Sequence, residues 1–62
     1  MINTPIESLI RLSKNEYWLT RYEIAKHINT PLSILIELSK DKDENVRDAA
    51  KRNRIRRIGL LK

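Results

Sequence analysis

The sequence predicts an all-α chain of four helices, arranged as two stacked helix-pair repeats like an α-solenoid and followed by a basic C-terminal helical segment. Three observations support this fold class. No strand-like alternation of apolar and polar residues extends over six positions, and no hairpin dipeptide occurs. Only one glycine and two prolines are present among the 62 residues. The third observation is an internal repeat, which predicts stacked supersecondary units.

The repeat has a period of 26 residues. Nine of the 25 positions from 3 to 27 are identical to the positions one period later, without a gap. The identities include Asn3-Thr4-Pro5 with Asn29-Thr30-Pro31, Leu12-Ser13-Lys14 with Leu38-Ser39-Lys40, and Arg21 with Arg47. We therefore expect a single small domain over residues 1–62, with a first repeat at 3–28, a second repeat at 29–53 and a basic segment at 51–62.

Each repeat opens with a helix-start signal. Thr4 and Thr30 are predicted N-cap residues, and the prolines that follow them suit the first helical position, where a missing N–H costs no hydrogen bond. Thr4 and Glu7 also fit a capping box. The first helix is expected to end near Lys14. Its predicted buried face comprises Ile6, Leu9, Ile10 and Ser13, and Leu12 lies beside this face.

The second and third helices differ in how apolar they are. The second, predicted over residues 16–28, buries Tyr17, Ile24, Ala25 and Ile28, with Trp18 and Tyr22 adjacent. The third buries Leu32, Leu35, Ile36 and Ser39, and it also carries Ile34 and Leu38. Because the third helix is apolar nearly all round, it is expected to lie at the centre of the fold.

The fourth helix is predicted to begin after the turn at residues 41–43 and to bury Val46, Ala49 and Ala50. Asp41 or Asp43 is expected to cap its N-terminus, and one of these carboxylates to pair with Arg47. Gly59 is the predicted end of the helix, because glycine is favoured just after a helix C-terminus.

Length and composition exclude several function classes. A chain of this size buries only ~60% of the surface exposed when it is unfolded, which leaves no room for a second domain or a large cleft. Cysteine is absent and His27 is the only histidine, so neither a usual zinc site nor a set of acid and base catalysts is expected. No enzyme activity, cofactor, metal or small-molecule substrate is predicted. No apolar run approaches a membrane span, and a soluble, cytoplasmic protein is expected.

The second repeat carries a further pattern: Asn29-Thr30-Pro31, Leu35, residues 38–43, Val46-Arg47 and Asn53. This pattern resembles the leucine-rich repeat variant family, whose short helical repeats are similar in style to HEAT-type solenoids. The resemblance covers residues 3–53 and implies a scaffold, since the family signature carries no catalytic residue. A solenoid normally needs about three repeats. We therefore expect either that the basic segment docks as an extra helix or that two chains form a homodimer.

Positive charge is concentrated at the C-terminal end, where residues 45–62 carry a net charge of +6 against −1 for residues 1–44. Guanidinium groups bind phosphates through bidentate hydrogen bonds and release counterions. The predicted function is a non-enzymatic interaction module whose basic segment contacts an anionic partner, nucleic acid first and acidic protein second. The candidate anion-binding residues are Arg47, Lys51, Arg52, Arg54, Arg56 and Arg57. An apolar stripe through this segment is also available for docking and comprises Ile55, Ile58 and Leu61.

Two further interpretations involve the second and third helices. The spacing of Ala25, Ile28, Leu35 and Leu38 also suits a helix-turn-helix, which makes a sequence-specific DNA-binding regulator the alternative function. Against this, Glu37 on the recognition helix would face phosphates. The aromatic residues are candidates for partner binding or for the core, with the core favoured for at least two of the three: Tyr17, Trp18 and Tyr22.

Overall fold

The computed structural model describes residues 6–60 and confirms the all-α prediction. Its helices are α1 (Ile6–Leu12), α2 (Trp18–Lys26), α3 (Leu32–Leu38) and α4 (Glu44–Leu60). Across this part of the chain no strand is formed, and none of the helices is long and apolar enough to cross a membrane. Thr4 and Pro5, the predicted N-cap and first residue of the first helix, lie outside the described residues, and so does the Thr4 side of the predicted capping box.

The local structure recurs at the period of the sequence repeat. α1 and α3 begin and end at matching positions, and α2 and α4 begin at matching positions. Ser13 and Ser39 each donate through Oγ to the carbonyl oxygen three residues earlier, at 2.6 Å in both cases. Asn15 and Asp41 each accept the backbone N–H two residues later through Oδ1, at 2.9 and 2.8 Å. The sequence repeat therefore corresponds to the same turn hydrogen bonds in both halves, including at Asn15 and Asp41, where the residues differ.

The core consists of eight buried apolar side chains drawn from all four helices: Leu9, Ile24, Ala25, Ile34, Leu35, Leu38, Val46 and Ala50. α4 lies at the centre, because it packs along both α2 and α3. Its contacting side chains, Val46 and Ala50, are small and fully buried, which lets the helices approach closely. The prediction that the third helix is central is wrong. That helix buries one side and leaves Leu32 and Ile36 exposed.

Several side chains expected in the core lie at the surface instead. α1 and α3 have seven residues each, so each is under two turns long and turns only one stripe toward its neighbours. Ile28 is 76% exposed because α2 ends at Lys26 and the chain has already left the helix. The misplaced residues are Ile6, Ile10, Leu12, Ile28, Leu32, Ile36 and, directly before α2, Tyr17.

Thr30 was predicted to be the N-cap of α3, but it does not hold that position. Pro31 holds the N-cap position, and the fully buried Thr30 donates through Oγ1 to the carbonyl oxygen of Ile24 at 2.7 Å. The same carbonyl oxygen accepts the backbone N–H of His27 at 3.1 Å, so the Thr30 hydroxyl adds a second hydrogen bond to the C-terminal end of α2. The helix end predicted at Gly59 is also wrong, since α4 continues through this residue to Leu60. A glycine costs a helix only about 1 kcal/mol, which the rest of a long helix outweighs.

The predicted N-cap of α4 is confirmed at Asp43. Its Oδ1 accepts the backbone N–H groups of Asn45 at 2.8 Å and Val46 at 3.2 Å. Replacing Asp43 by Ala is expected to lower the free energy of unfolding by about 1 kcal/mol, because two N–H groups lose their acceptor. Urea denaturation measures this change. Glu37→Ala, which removes an equal charge from an exposed site on α3, is the control, and equal losses in the two variants would contradict the capping role.

Candidate anion-binding groove

The basic residues of the C-terminal segment separate onto different sides of one continuous helix, α4. Residues four apart share a side of a helix, which places Arg52 and Arg56 together. Both are exposed. Lys51 is exposed as well, but it precedes Arg52 and therefore points about 100° away around the helix axis. The charge cluster seen in sequence is thus not a single patch in the structure.

Arg52 and Arg56 border an open groove between α2 and α4, with a volume of about 420 Å³. It is lined by Tyr22, Lys26, Asn45, Asp48, Ala49, Arg52, Asn53 and Arg56. Three cationic side chains and one carboxylate give the lining a net positive charge. A concave, positively charged surface concentrates anions more effectively than a flat one. Lys26 of this group was not foreseen from the sequence, because only the packing of α2 on α4 brings it beside the two arginines.

Aromatic side chains continue from the groove along α2. The Nζ atom of Lys26 lies 4.6 Å from the centroid of the Tyr22 ring, within the range of a cation–π contact. Ring centroids are 5.9 Å apart between Trp18 and Tyr22 and 6.4 Å apart between Tyr17 and Trp18. Lys26 also lies 3.9 Å from Glu23, but this pair is exposed and contributes little.

The expectation that at least two of these aromatic residues belong to the core is wrong. Tyr22 packs against the core and is partly buried, whereas Tyr17 is 57% exposed and Trp18 is 37% exposed. The physical reason is the late start of α2: Tyr17 precedes the helix and Trp18 is its first residue. Trp18 and Tyr17 therefore form an exposed aromatic surface next to the groove.

The floor of the groove is held by Asn53. Its Nδ2 donates to the carbonyl oxygens of Ala25 at 2.9 Å and His27 at 3.0 Å. Asn53 is nearly fully buried, so both its amide and the C-terminal end of α2 are fixed in place. The groove is consequently bounded by two helices that are tied together at one end.

The structure corrects the prediction that Arg57 binds an anion. Its guanidinium donates from Nε to Asn53 Oδ1 at 3.1 Å, from Nη2 to the carbonyl oxygens of His27 at 3.1 Å and Ile28 at 2.7 Å, and from Nη1 to that of Thr30. Nη1 and Nη2 thus hold the loop between α2 and α3, while Nε binds Asn53 on the same helix, α4. The carbonyls left free at the end of a helix attract a cation in this way.

Arg47 and Arg54 lie outside the groove lining. Arg47 donates from Nη1 to the backbone carbonyl oxygen of Asp41 at 2.8 Å, so the predicted pairing with a capping carboxylate is wrong. Arg54 is partly buried, and its Nε is buried without an acceptor among residues 6–60. Of the six predicted anion-binding residues, the structure therefore brings only Arg52 and Arg56 together in the groove.

A buried ion pair joins the two repeats. Arg21 donates to the carboxylate of Asp41 from Nε at 2.7 Å and from Nη2 at 3.1 Å, and each side chain keeps less than a tenth of its exposure. The hydrogen bond to Asp41 raises the pKa of Arg21, outweighing the opposite effect of burial. Burial alone would raise the pKa of Asp41. The hydrogen bonds from Arg21 and the backbone of Asp43 outweigh it and hold this pKa below its ordinary value.

His27 lies at the C-terminal end of α2. It is the C-cap of α2, and its Nδ1 accepts the backbone N–H of Asn29 at 3.0 Å. Among residues 6–60, no group of three or more histidine, aspartate or glutamate side chains is placed to hold a metal ion. The chain matches no protein-family model, no curated protein and no solved structure.

Proposed function

We propose that the chain is a non-enzymatic helical-repeat module that binds nucleic acid in the groove between α2 and α4. The observation that supports this function is the placement of Lys26, Arg52 and Arg56 around one groove that also contains Tyr22. These cations come from two helices, so a single phosphate backbone can contact all three. The proposed module keeps its repeats rigid through the ion pair between Arg21 and Asp41.

The chemistry of the groove suits a sequence-tolerant contact. Arginine binds a phosphate through two parallel hydrogen bonds, and lysine binds it as a point charge. Phosphate contacts determine affinity and position without selecting a base sequence. The exposed ring of Trp18 beside the groove offers a surface on which a base can stack, and stacking is also tolerant of sequence.

The helix-turn-helix alternative receives less support. The exposed side chains of α3 are Leu32, Ser33, Ile36 and Glu37, a mostly apolar surface with one negative charge. Such a surface does not attract a phosphate backbone. A recognition helix lies in the major groove of DNA, between the two phosphate backbones. The cations that line the groove instead lie on α2 and α4.

Fluorescence anisotropy of a labelled mixed-sequence DNA duplex at ~50 and ~200 mM salt tests the groove. For three phosphate contacts, counterion release predicts that the affinity falls by about 40-fold between these salt concentrations. For the variant Arg52→Gln/Arg56→Gln, which retains one contact, the fall is expected to be only about 3-fold to 4-fold. The affinity of this variant at the lower salt concentration is also expected to be at least about 10-fold weaker.

The matched control is Arg11→Gln/Lys14→Gln, which removes the same charge from exposed sites in the first repeat. We expect its salt dependence to equal that of the unmodified chain, because neither residue lines the groove. Circular dichroism verifies that each variant is folded. Equal losses in the two double variants would show that net charge alone drives binding, and no binding at the lower salt concentration would exclude the proposed function.

A further inference from the structure

Arg21 and Arg47 occupy matching positions in the two repeats, and their surroundings show what the second of them lacks. Arg21 holds its guanidinium in place by donating from Nη1 to the carbonyl oxygens of Asn15 at 2.7 Å and Glu16 at 3.0 Å. The remaining edge, formed by Nε and Nη2, holds the carboxylate of Asp41. Arg21 of the first repeat therefore forms a carboxylate-binding site, and Asp41 of the second repeat occupies it.

Arg47 repeats the first half of this arrangement. Its Nη1 donates to the carbonyl oxygen of Asp41, which is the counterpart of Asn15 one period later, at 2.8 Å. Its Nε and Nη2 donate to no acceptor within residues 6–60, and no carboxylate of this part of the chain lies within ion-pair distance of Arg47. The guanidinium is thus oriented by the same anchor as in Arg21, and the edge that would clamp a carboxylate is free.

The side of α4 that carries Arg47 has a net positive charge and is partly apolar, although the exposed Glu44 lies on it three residues before Arg47. Lys51, Ile55 and Ile58 follow Arg47 at intervals of three to four residues and share its side of the helix. Ile55 is 69% exposed and Ile58 is 52% exposed. Lys51 is exposed where its counterpart in the first repeat, Ala25, is fully buried under α4. In the first repeat this face packs against a helix. In the second repeat the corresponding face carries a lysine in place of an alanine, which favours an acidic helix as its partner.

We infer that this face of α4, formed by Arg47, Lys51, Ile55 and Ile58, docks an acidic protein partner. The partner presents an aspartate in the turn before a helix, and its carboxylate binds Arg47 as that of Asp41 binds Arg21. Apolar side chains of the partner helix cover Ile55 and Ile58. Arg52 and Arg56 each follow a residue of this face by one position and point about 100° away, so the face is separate from the groove.

Charge and composition distinguish this partner from two others. A second copy of the chain, stacked end to end, would bring Asn15 to the position that Asp41 holds, and an amide offers no charge to Arg47. A nucleic acid would meet Arg47 and Lys51 but would leave the isoleucines uncovered. An amphipathic helix with acidic side chains suits the whole face, because its carboxylates can bind Arg47 and Lys51 while its apolar side covers the two isoleucines.

Nuclear magnetic resonance of the full chain tests this docking face. The probe is a synthetic peptide with the sequence of residues 38–50, which carries Asp41 and the start of α4, the element that Arg21 already binds. We expect a saturable shift of the Nε–H resonance of Arg47, assigned from its loss in the Arg47→Lys variant, at peptide concentrations up to about 10 mM. The same peptide with Asp41→Asn is expected to bind about 10-fold more weakly, since the charged acceptor is gone.

The Arg47→Lys variant keeps the charge but lacks the planar donor edge, so its affinity for the aspartate peptide is expected to fall about 10-fold as well. Arg11→Gln, an exposed charge removal elsewhere, should leave that affinity unchanged. Circular dichroism verifies folding. The inference is overturned if Arg47 does not shift, if the resonances of Arg52 and Arg56 shift in its place, or if both peptides bind equally. Sedimentation that shows a dimer lost in Arg47→Lys would assign the face to a second copy instead.

Discussion

Replacing Asp41 by Asn is expected to lower the free energy of unfolding by about 3–5 kcal/mol, because the change leaves the buried guanidinium of Arg21 without a counter-charge. Asn is the informative substitution at this position. Asn15 shows in the first repeat that an amide oxygen can accept the backbone N–H two residues later. The turn is therefore preserved and the ion pair alone is removed.

Urea denaturation measures this loss, and Glu37→Gln is the control at an exposed carboxylate, with an expected change below about 0.5 kcal/mol. For a chain of 62 residues the total stability is about 3–9 kcal/mol, so the Asp41→Asn variant is expected to be at the edge of folding. A loss no larger than that of the control would show that the pair contributes nothing beyond its desolvation.

Acidification provides a second measurement on the same pair. The pKa of Asp41 is lower in the folded chain than its ordinary value, so the unfolded chain binds the proton more readily. The contribution of the pair is fully present above the ordinary aspartate pKa of about 3.9 and is lost as the pH falls through the lower, folded value. Stability of the unmodified chain should therefore decline below about pH 4, and the Asp41→Asn variant should lack this component. Parallel pH profiles would contradict the assignment.

Replacing Arg57 by Gln is expected to lower the free energy of unfolding by about 2–4 kcal/mol. The guanidinium donates to the carbonyl oxygens of three residues in the loop between α2 and α3, and each hydrogen bond from a charged group contributes roughly 1.5–3 kcal/mol when others do not replace it. Arg57→Lys should recover only part of this loss, because one ammonium cannot reach all three carbonyls.

Arg56→Gln is the matched control for Arg57. The two residues are adjacent, carry the same charge and lie on one helix, but Arg56 is exposed and lines the groove. Arg56→Gln should change stability by less than about 0.5 kcal/mol and weaken DNA binding, whereas folded Arg57→Gln should bind DNA with nearly unchanged affinity. Urea denaturation measures the change in stability, and fluorescence anisotropy measures the change in DNA affinity. A loss of DNA affinity in Arg57→Gln would show that this residue contacts DNA.

Features determined by short-range chemistry could be predicted from the sequence. Asp43 begins α4 as expected, since the N-cap preference depends only on the residues that follow it. The repeat period also corresponds to matching turns in the structure, because Ser13 and Ser39 each bond to their own helix. The family resemblance remains a prediction, and these recurring contacts are compatible with it.

Burial could be predicted only in part, because it depends on which helix each side chain meets. The buried positions Leu9, Leu35 and Leu38 were foreseen, but apolar periodicity also assigned Ile6 and Ile36 to the core. Helices of seven residues are too short to bury two stripes. The central position of α4 was missed because its contact residues are small and its sequence is dominated by charge, whereas close approach between helices requires such small side chains.

The basic composition of the C-terminal segment identified some of the residues that border the groove, but the full set depends on the packing of the helices. Arg52 and Arg56 were named from the basic cluster and do border the groove, whereas Lys26 joins them only through the packing of α2 on α4. No local signal distinguishes Arg57 from its neighbours, since its acceptors are backbone carbonyls far away in the chain. Arg21 and Arg47 carried a usable signal, because an identity between repeats marks positions with equivalent contacts.

The bonds that Arg57 and Asn53 make to the loop after α2 determine the order in which the chain can fold during its synthesis. The loop carbonyls that these side chains bind precede them by 26 to 30 residues, so the contacts cannot form until Asn53 and Arg57 have left the ribosome. Until then, α2 and α3 lack the side chains that fix the angle between them. Closing such long-range contacts carries an entropic cost that slows folding. α4 is therefore the helix that fixes the arrangement of the three that precede it.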